Sequence, residues 1–220
     1  MPSPFDQSMY QVRHEWGAEG IARLAPADVV IVADVLRFSS TMADAVAQAP
    51  AIELSDARLW STNGADAAAA AQRAGTTVLL GALRNAAAVA QAVLAIQERR
   101  GARTSVSVIA AGERAADGTL RFAVEDQLGT GAIIDALTAV GIDHCSPEAA
   151  ASAAAFRTLR PALRHLFLAS GSGRELAIGV ASTARMQERG IRPASVEEAA
   201  ELDASPHVPE LRDGWFMPFA

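Results

Sequence analysis

The feature that most limits what this chain can fold into is a recurring order: a β-branched run, a loop of small polar residues, then an Ala- and Leu-rich stretch. Asp28-Val29-Val30-Ile31-Val32-Ala33 reads as a buried strand. Leu36-Arg37-Phe38-Ser39-Ser40 follows as a loop, and a helix over 41–48 stops near Pro50. A second unit runs Ala57-Arg58-Leu59-Trp60, then the Ser61-Thr62-Asn63-Gly64 loop, then a helix over 65–74. The third has a strand at 76–80, the loop Gly81-Ala82-Leu83-Arg84-Asn85 and a helix over 86–99. The fourth has a strand at 104–109, Gly112-Glu113-Arg114, a turn at Asp117-Gly118 and a helix over 124–139. Strands alternating with helices form βαβ units around a mostly parallel sheet, so the expected fold class is three-layer α/β/α. From Pro147 the chain reads as helical and Arg-rich, with one candidate strand at Ile178-Gly179-Val180, a helix over 196–202 and an irregular tail from Pro206. Ser170-Gly171-Ser172-Gly173 is too short for a domain linker. Residues 1–220 therefore read as one domain, with an N-terminal segment at 1–27 and a mainly helical portion at 147–220.

Composition removes several chemistries. The 220 residues include no Lys, which excludes a P-loop lysine, a Schiff base and a lysine general base. Cys145 is the only cysteine, so an internal disulfide, a Cys-rich zinc site and a Cys-x-x-Cys redox pair are excluded. A formal charge of −6 argues against a nucleic-acid partner, whose footprint is basic. The polar N-terminus lacks the apolar core of a secretory signal, and no apolar run reaches the ~20 residues of a membrane span, so the expectation is a cytoplasmic protein without a membrane partner. Cys145 is not followed by the Cys-x5-Arg loop, and Asp34 does not begin an Asp-x-Asp pair. His14, His144, His165 and His207 are too scattered for a His-x-x-x-His zinc site.

What remains is carboxylate chemistry at one sheet edge. In open α/β sheets, ligands bind outside the carboxyl ends of the strands, and four loops here place small polar residues there, each before a helix start. Helix starts present free N–H groups and a positive dipole end, which attract anions. Ser39, Ser40 and Thr41 add hydroxyls, and Arg37 a planar fork suited to phosphate, sulfonate or carboxylate. Ser61, Thr62, Asn63 and Gly64 repeat the arrangement without a charge, Asn85 closes the third loop, and Gly112, Glu113, Glu125 and Asp126 belong to the fourth. Each residue also has a plain structural reading. Asp34, Ser39, Ser61 and Asn85 are ordinary capping types, Asn63-Gly64 is a common turn, and acidic residues at a helix start suit the macrodipole. A hard divalent cation such as Mg2+ is held by one or two carboxylates together with phosphate and water.

Several segments together resemble one family. Asp34-Val35-Leu36-Arg37-Phe38-Ser39-Ser40-Thr41 resembles the Asp-x-Leu-Arg signature, followed by Ala or Phe and two hydroxyl residues, of the 2-phosphosulfolactate phosphatase (ComB-like) family. Ser61-Thr62-Asn63-Gly64 is similar to its Thr-Thr-Asn-Gly segment, and Gly81 to Asn85 to its Gly-x-x-x-Asn helix start. Ala110-Ala111-Gly112-Glu113-Arg114 with Val124-Glu125-Asp126 resembles its Ala-Gly loop and acidic helix, and Glu201-Leu202-Asp203-Ala204-Ser205 also fits. The chain departs from that pattern between Pro50 and Ser61, which is too short for the family's Gly-Glu-Arg and Gly-Phe-Asp-x-x-Asn-Ser-Pro stretches. It is thus a shortened member by resemblance.

The resemblance implies a Mg2+-dependent phosphatase converting 2-phosphosulfolactate to sulfolactate and phosphate, as in coenzyme M biosynthesis. In that reading Asp34, Arg37 and Glu113 are catalytic, and Asp34, Glu125 and Asp126 supply the metal ligands. Ser39, Ser40, Thr41, Ser61, Thr62, Asn63, Gly64, Asn85 and Gly112 bind a small anionic phosphoester. Asp34 as ligand, base or nucleophile are all open. Two alternatives follow from the shortened segment: a non-catalytic anion-binding relative, and a phosphatase for a different phosphoester. The Ala-rich helices also allow a homodimer.

Overall fold

A computed structural model describes residues 3–48, 51–61 and 63–220; the helix stop at Pro50 and the Thr62 site position fall outside the described residues. In chain order the strands are β1 (Val12–Trp16), β2 (Val29–Ala33), β3 (Ile52–Glu53), β4 (Thr77–Leu80), β5 (Val106–Ala110), β6 (Glu113–Arg114), β7 (Leu120–Arg121), β8 (Pro209–Arg212) and β9 (Trp215–Pro218). The helices are α1 (Gly17–Arg23), α2 (Phe38–Gln48), α3 (Leu54–Ala57), α4 (Asn63–Arg73), α5 (Ala86–Arg100), α6 (Val124–Ala139), α7 (Pro147–Leu159), α8 (Leu163–Ala169), α9 (Gly171–Ile178), α10 (Ala181–Glu188) and α11 (Val196–Ala199). Among the described residues no helix is long and apolar enough to cross a membrane.

Among the described residues seven strands form one sheet in the order β1-β5-β2-β4-β8-β9-β3, and β6 pairs with β7 as a separate hairpin. The first four are parallel, in register Val29↔Val106 and Val29↔Thr77 around the central β2, and the last three add antiparallel pairs at one edge. β2 is buried along its whole length because both its faces are covered. Val29, Ile31 and Ala33 join Leu79, Val106 and Val108 beneath α5, α6, α7 and α8. Val30 and Val32, with Val78, Leu80 and Ile109, face α2 and α4. This is the expected three-layer α/β/α arrangement. Fully buried Ala65, Ala67, Ala68 and Ala71 give α4 a small-residue face toward that second core.

The wiring positions the site. After β2 the chain enters α2 on one face, whereas after β4 and β5, its two neighbours, it enters α5 and α6 on the other. Connections that leave adjacent strand ends toward opposite faces open a crevice between them, and open α/β sheets bind ligands there.

Several expected elements differ. The segment 57–60 is not a strand: Ala57 and Trp60 are buried while Arg58 and Leu59 are exposed, which is the spacing of a helical turn rather than alternation. Helix α2 starts at Phe38, so Ser39, Ser40 and Thr41 lie inside it and not in the loop before it. Ile178-Gly179-Val180 joins α9 to α10, with Gly179 at φ 103, and forms no strand. The helix expected over 196–202 is only the single turn α11; Ser195 caps it, accepting from Glu198 N at 3.1 Å. The N-terminal segment supplies the edge strand β1. The tail from Pro206 is ordered as the β8–β9 hairpin, turned by Asp213-Gly214 at φ 51 and 85. Positive φ at both central residues matches the twist of paired strands, which is why Asp-Gly is a strong hairpin turn.

That hairpin anchors the site-bearing helix. Phe216 of β9 is fully buried and its ring meets Phe38, the first residue of α2, edge to face at 5.7 Å. Phe216→Ala is expected to cost about 3–5 kcal/mol of unfolding free energy, the usual range for truncating a buried phenylalanine. Urea denaturation measures it, and a loss under ~1 kcal/mol would make the hairpin peripheral to the core.

Candidate active site

The crevice at the end of β2 is a cavity of about 230 Å³. Asp34, Glu113, Glu125 and Asp126 line it together with Arg37, Trp60, Ser61, Asn63 and Gly112. Asp34 leaves β2 and is held from two helix starts. Its Oδ2 accepts from Ser61 Oγ at 2.9 Å and from Gly64 N at 3.2 Å, and its Oδ1 accepts from Phe38 N at 3.4 Å. The N-terminal ends of α2 and α4, expected to cradle a ligand, therefore donate to a carboxylate of the chain itself. Gly64 is required by this approach: a Cβ there would stand 2.6 Å from Asp34 Oδ2 and 2.7 Å from Phe38 Cδ1.

Asp126, in the first turn of α6, ties the other side. Its Oδ1 accepts from Val35 N at 2.7 Å and its Oδ2 from Gly112 N at 2.9 Å, joining the loop after β2 to the loop after β5. Gly112 has φ 67, and a Cβ there would press on Leu120 and the Arg121 carbonyl, so its contribution is backbone geometry. Asn63 Nδ2 donates to Gly112 O at 3.1 Å and to Glu113 Oε1 at 3.0 Å, which fixes Glu113 beside Asp34.

The electrostatics of this cluster are unfavourable to charge. Burial raises the Asp34 pKa to about 6, and the neighbouring Glu113 charge adds to burial, against the opposing hydrogen bonds. Burial also raises Asp126 well above the usual carboxylate range, with Asp34 and Glu125 as further like charges. Burial lowers the Arg37 pKa. Arg37 donates through Nη2 to Thr183 Oγ1, while its Nε and the buried Trp60 Nε1 meet no acceptor among the described residues.

The remaining expected residues sort as follows. Ser61, Asn63, Gly64 and Gly112 are at the site, acting through Asp34, Glu113 and Asp126. Ser39, Ser40 and Thr41 are fully buried with their hydroxyls turned inward. Ser39 Oγ donates to Val32 O and accepts from Asp34 N, Ser40 Oγ donates to Val35 O, and Thr41 Oγ1 accepts from Ala194 N. They brace the loop and do not line the cavity. Asn85 lies away from it, accepting from Ala82 N at 2.8 Å and donating to Leu80 O and His207 O. The segment around Glu201 and Ser205 serves that same turn: Asp203 N donates to Leu83 O, Ser205 N to Arg84 O, and Arg84 also reaches Glu201 and Asp44. Glu125 is buried with Oε1 engaged by Ser172 Oγ. Among the described residues no three His, Cys, Asp or Glu side chains form a metal-holding group, so Asp34, Glu125 and Asp126 do not assemble as a three-carboxylate cage.

Sequence reasoning missed the opposite wall, which α9 and α10 provide through Ser172, Glu175, Leu176, Val180, Ser182 and Met186. Only the serine-rich break at 170–173 signalled it; Ser170 caps α9 and Ser172 turns to Glu125.

A family model described as 2-phosphosulpholactate phosphatase matches residues 49–214, well over half of the chain. The chain belongs to that family. No curated protein matches it. The family span contains Ser61 to Gly64, Glu113, Glu125, Asp126 and the α9–α10 wall, while Asp34 and Arg37 precede it. Ser61 and Gly64, inside the span, hydrogen-bond Asp34 directly.

A pH dependence follows. A carboxyl whose folded pKa is raised binds more protons folded than unfolded, so stability falls as pH rises from 3.8 through about 6. Asp34→Asn removes this titration. In chelator, wild-type protein is expected to lose up to about 3 kcal/mol between pH 4 and pH 7 relative to Asp34→Asn. Denaturation series at the two pH values check it, and parallel profiles for the two proteins would contradict it.

Proposed function

We propose that this chain is a Mg2+-dependent phosphomonoester hydrolase acting on a small polyanionic ester, with 2-phosphosulfolactate the substrate that its family favours. The observation that carries this reading is the pairing of an acid-lined crevice with a guanidinium. The carboxylates of Asp34, Glu113, Glu125, Asp126 and Glu175 alone repel a phosphoester, yet Arg37 lines the crevice with them. A hard divalent cation reconciles the two, since oxygen ligands are what it selects and Mg2+ needs only one or two carboxylates. Asp34 and Asp126 suit it: the Asp34 charge adds to the cost of ionising Asp126, and their bonds to N–H and O–H groups leave further lone pairs. Bound there, Mg2+ supplies charge neutralisation for a phosphoryl group and its attacking oxygen.

The chain's own residues do the rest. Arg37 donates to phosphoryl oxygens and orients them, worth most where charge develops in a site shielded from water. Glu113, oriented by Asn63 and by the Arg114 N–H at 2.8 Å, takes the proton from the attacking water. Asp34 stays fixed by its three donors throughout, as a ligand and not as a nucleophile.

The purified protein is expected to release phosphate from 2-phosphosulfolactate with Mg2+ and to stop in excess chelator. Asp34→Asn abolishes release with the fold retained, and Arg37→Gln lowers kcat/KM by about 10²–10³. Undiminished turnover in chelator would remove the metal from this account. Calorimetric binding of phosphate without turnover across a panel of phosphoesters would replace the enzyme by a binding relative.

A further inference from the structure

A second, larger chamber of about 590 Å³ adjoins the crevice, and the two share Glu113, Ala123, Glu125, Ser172 and Glu175 as lining residues. The chemistry changes beyond them. The outer chamber is lined by Arg114, Arg121 and Arg174 and by two exposed apolar side chains, Phe122 and Ile178. Phe122 is 63% exposed although its ring already leans on Trp16 at 5.0 Å, and Ile178 is 88% exposed at the end of α9. Arg114 reaches Asp66 only at 3.9 Å, and among the described residues Arg121 and Arg174 form no ion pair.

We propose that this outer chamber holds the alcohol portion of the phosphoester, and that the preferred alcohol is an amphipathic organic acid with an apolar body and a second anionic group. The inference rests on the phosphoryl group occupying the inner crevice. Charge then sets the orientation. The carboxylates around Asp34 repel any second acid group on the substrate and drive it outward, where Arg121 and Arg174 offer planar donors matched to a carboxylate or sulfonate. Phe122 and Ile178 line the same chamber as these arginines. A compact ester fills the inner chamber and leaves that apolar surface wet, whereas an apolar body covers it. A chamber larger than the reacting one, with Arg121, Arg174, Phe122 and Ile178 beyond the shared carboxylates, selects the bulkier amphipathic anion.

The test is calorimetry on the full chain with Mg2+, using 3-phenyllactate as a probe of the alcohol portion and inorganic phosphate as a probe of the crevice. All substituted residues are exposed, and unchanged phosphate binding verifies folding. Arg121→Gln with Arg174→Gln is expected to weaken 3-phenyllactate about tenfold with phosphate unchanged, and Phe122→Ser with Ile178→Ser to weaken it similarly. 2-Phenylethanol, which lacks the acid, is expected to respond to the second pair alone. Absence of 3-phenyllactate binding, or equal binding to wild type and both variants, overturns the outer-chamber assignment whatever the enzyme hydrolyses. Arginine-dependent 3-phenyllactate binding with no phosphoester turned over supports the chamber and sinks the phosphatase reading alone.

Discussion

The hydrogen bonds that converge on the Asp34 carboxylate are the interaction on which the rest of this structure depends. Two helix starts from different parts of the chain, α2 and α4, meet on one anion, joined by the Ser61 hydroxyl. A negative charge at the positive ends of two helices is favourable, but burial and the nearby Glu113 oppose it, and the pKa near 6 shows that burial prevails. The result is a carboxyl held in place by its donors while its charge is poorly tolerated. Gly64 follows as a necessity, because nothing larger fits between the α4 start and that carboxylate.

Asp126 completes the node from the opposite side. By accepting from Val35 N and Gly112 N it ties the loop after β2 to the loop after β5, the two strands whose connections leave toward opposite faces. The crevice is thus closed by acidic side chains and backbone amides, not by an apolar plug. An apolar plug would be more stable at neutral pH. Retaining mutually repelling carboxylates there is a local conflict of the kind that folded proteins keep at functional sites and offset by packing elsewhere. Here the offset comes from the two cores flanking β2.

The central layers were legible because their signal is local. Val29 to Ala33, the run before Leu80 and the run before Ala110 announce buried strands by composition, and the helices after them by length. The edge of the sheet was not legible in the same way. Strand β1 carries Arg13, His14 and Glu15 and looks like a polar segment until it pairs with β5. The final hairpin read as an irregular tail, because the residues flanking Asp213-Gly214 do not alternate clearly. At the site, the acidic residues were identifiable as a group and the hydroxyls were misjudged. Ser39, Ser40 and Thr41 have the composition of an anion loop, yet whether a hydroxyl turns to a ligand or to a carbonyl such as Val32 O depends on where the helix starts. A shift of the start from Thr41 to Phe38 buries all three. Asn85 fails for a related reason: its amide satisfies its own turn and the carbonyl of His207, a partner far away in sequence.

The division of labour between node and wall has a consequence for how this fold can change. The bonds that hold Asp34 and Asp126 lie within the α/β layers, whereas α9 and α10 reach the crevice from far along the chain through a few ties. Arg37 to Thr183, Ser172 to Glu125, Arg185 to Leu59 O and the buried Met186 account for the attachment on the crevice side. Substitutions along α9 and α10 can therefore reshape the wall and the outer rim without disturbing the carboxylate node, since none of its hydrogen bonds would be lost. The converse does not hold. A change at Gly64 or Ser61 alters Asp34 directly and through it both helix starts. The carboxylate node and the α9–α10 wall are thus separable along the chain: the first belongs to elements whose geometry is overdetermined, and the second to a pair of short helices with room to vary.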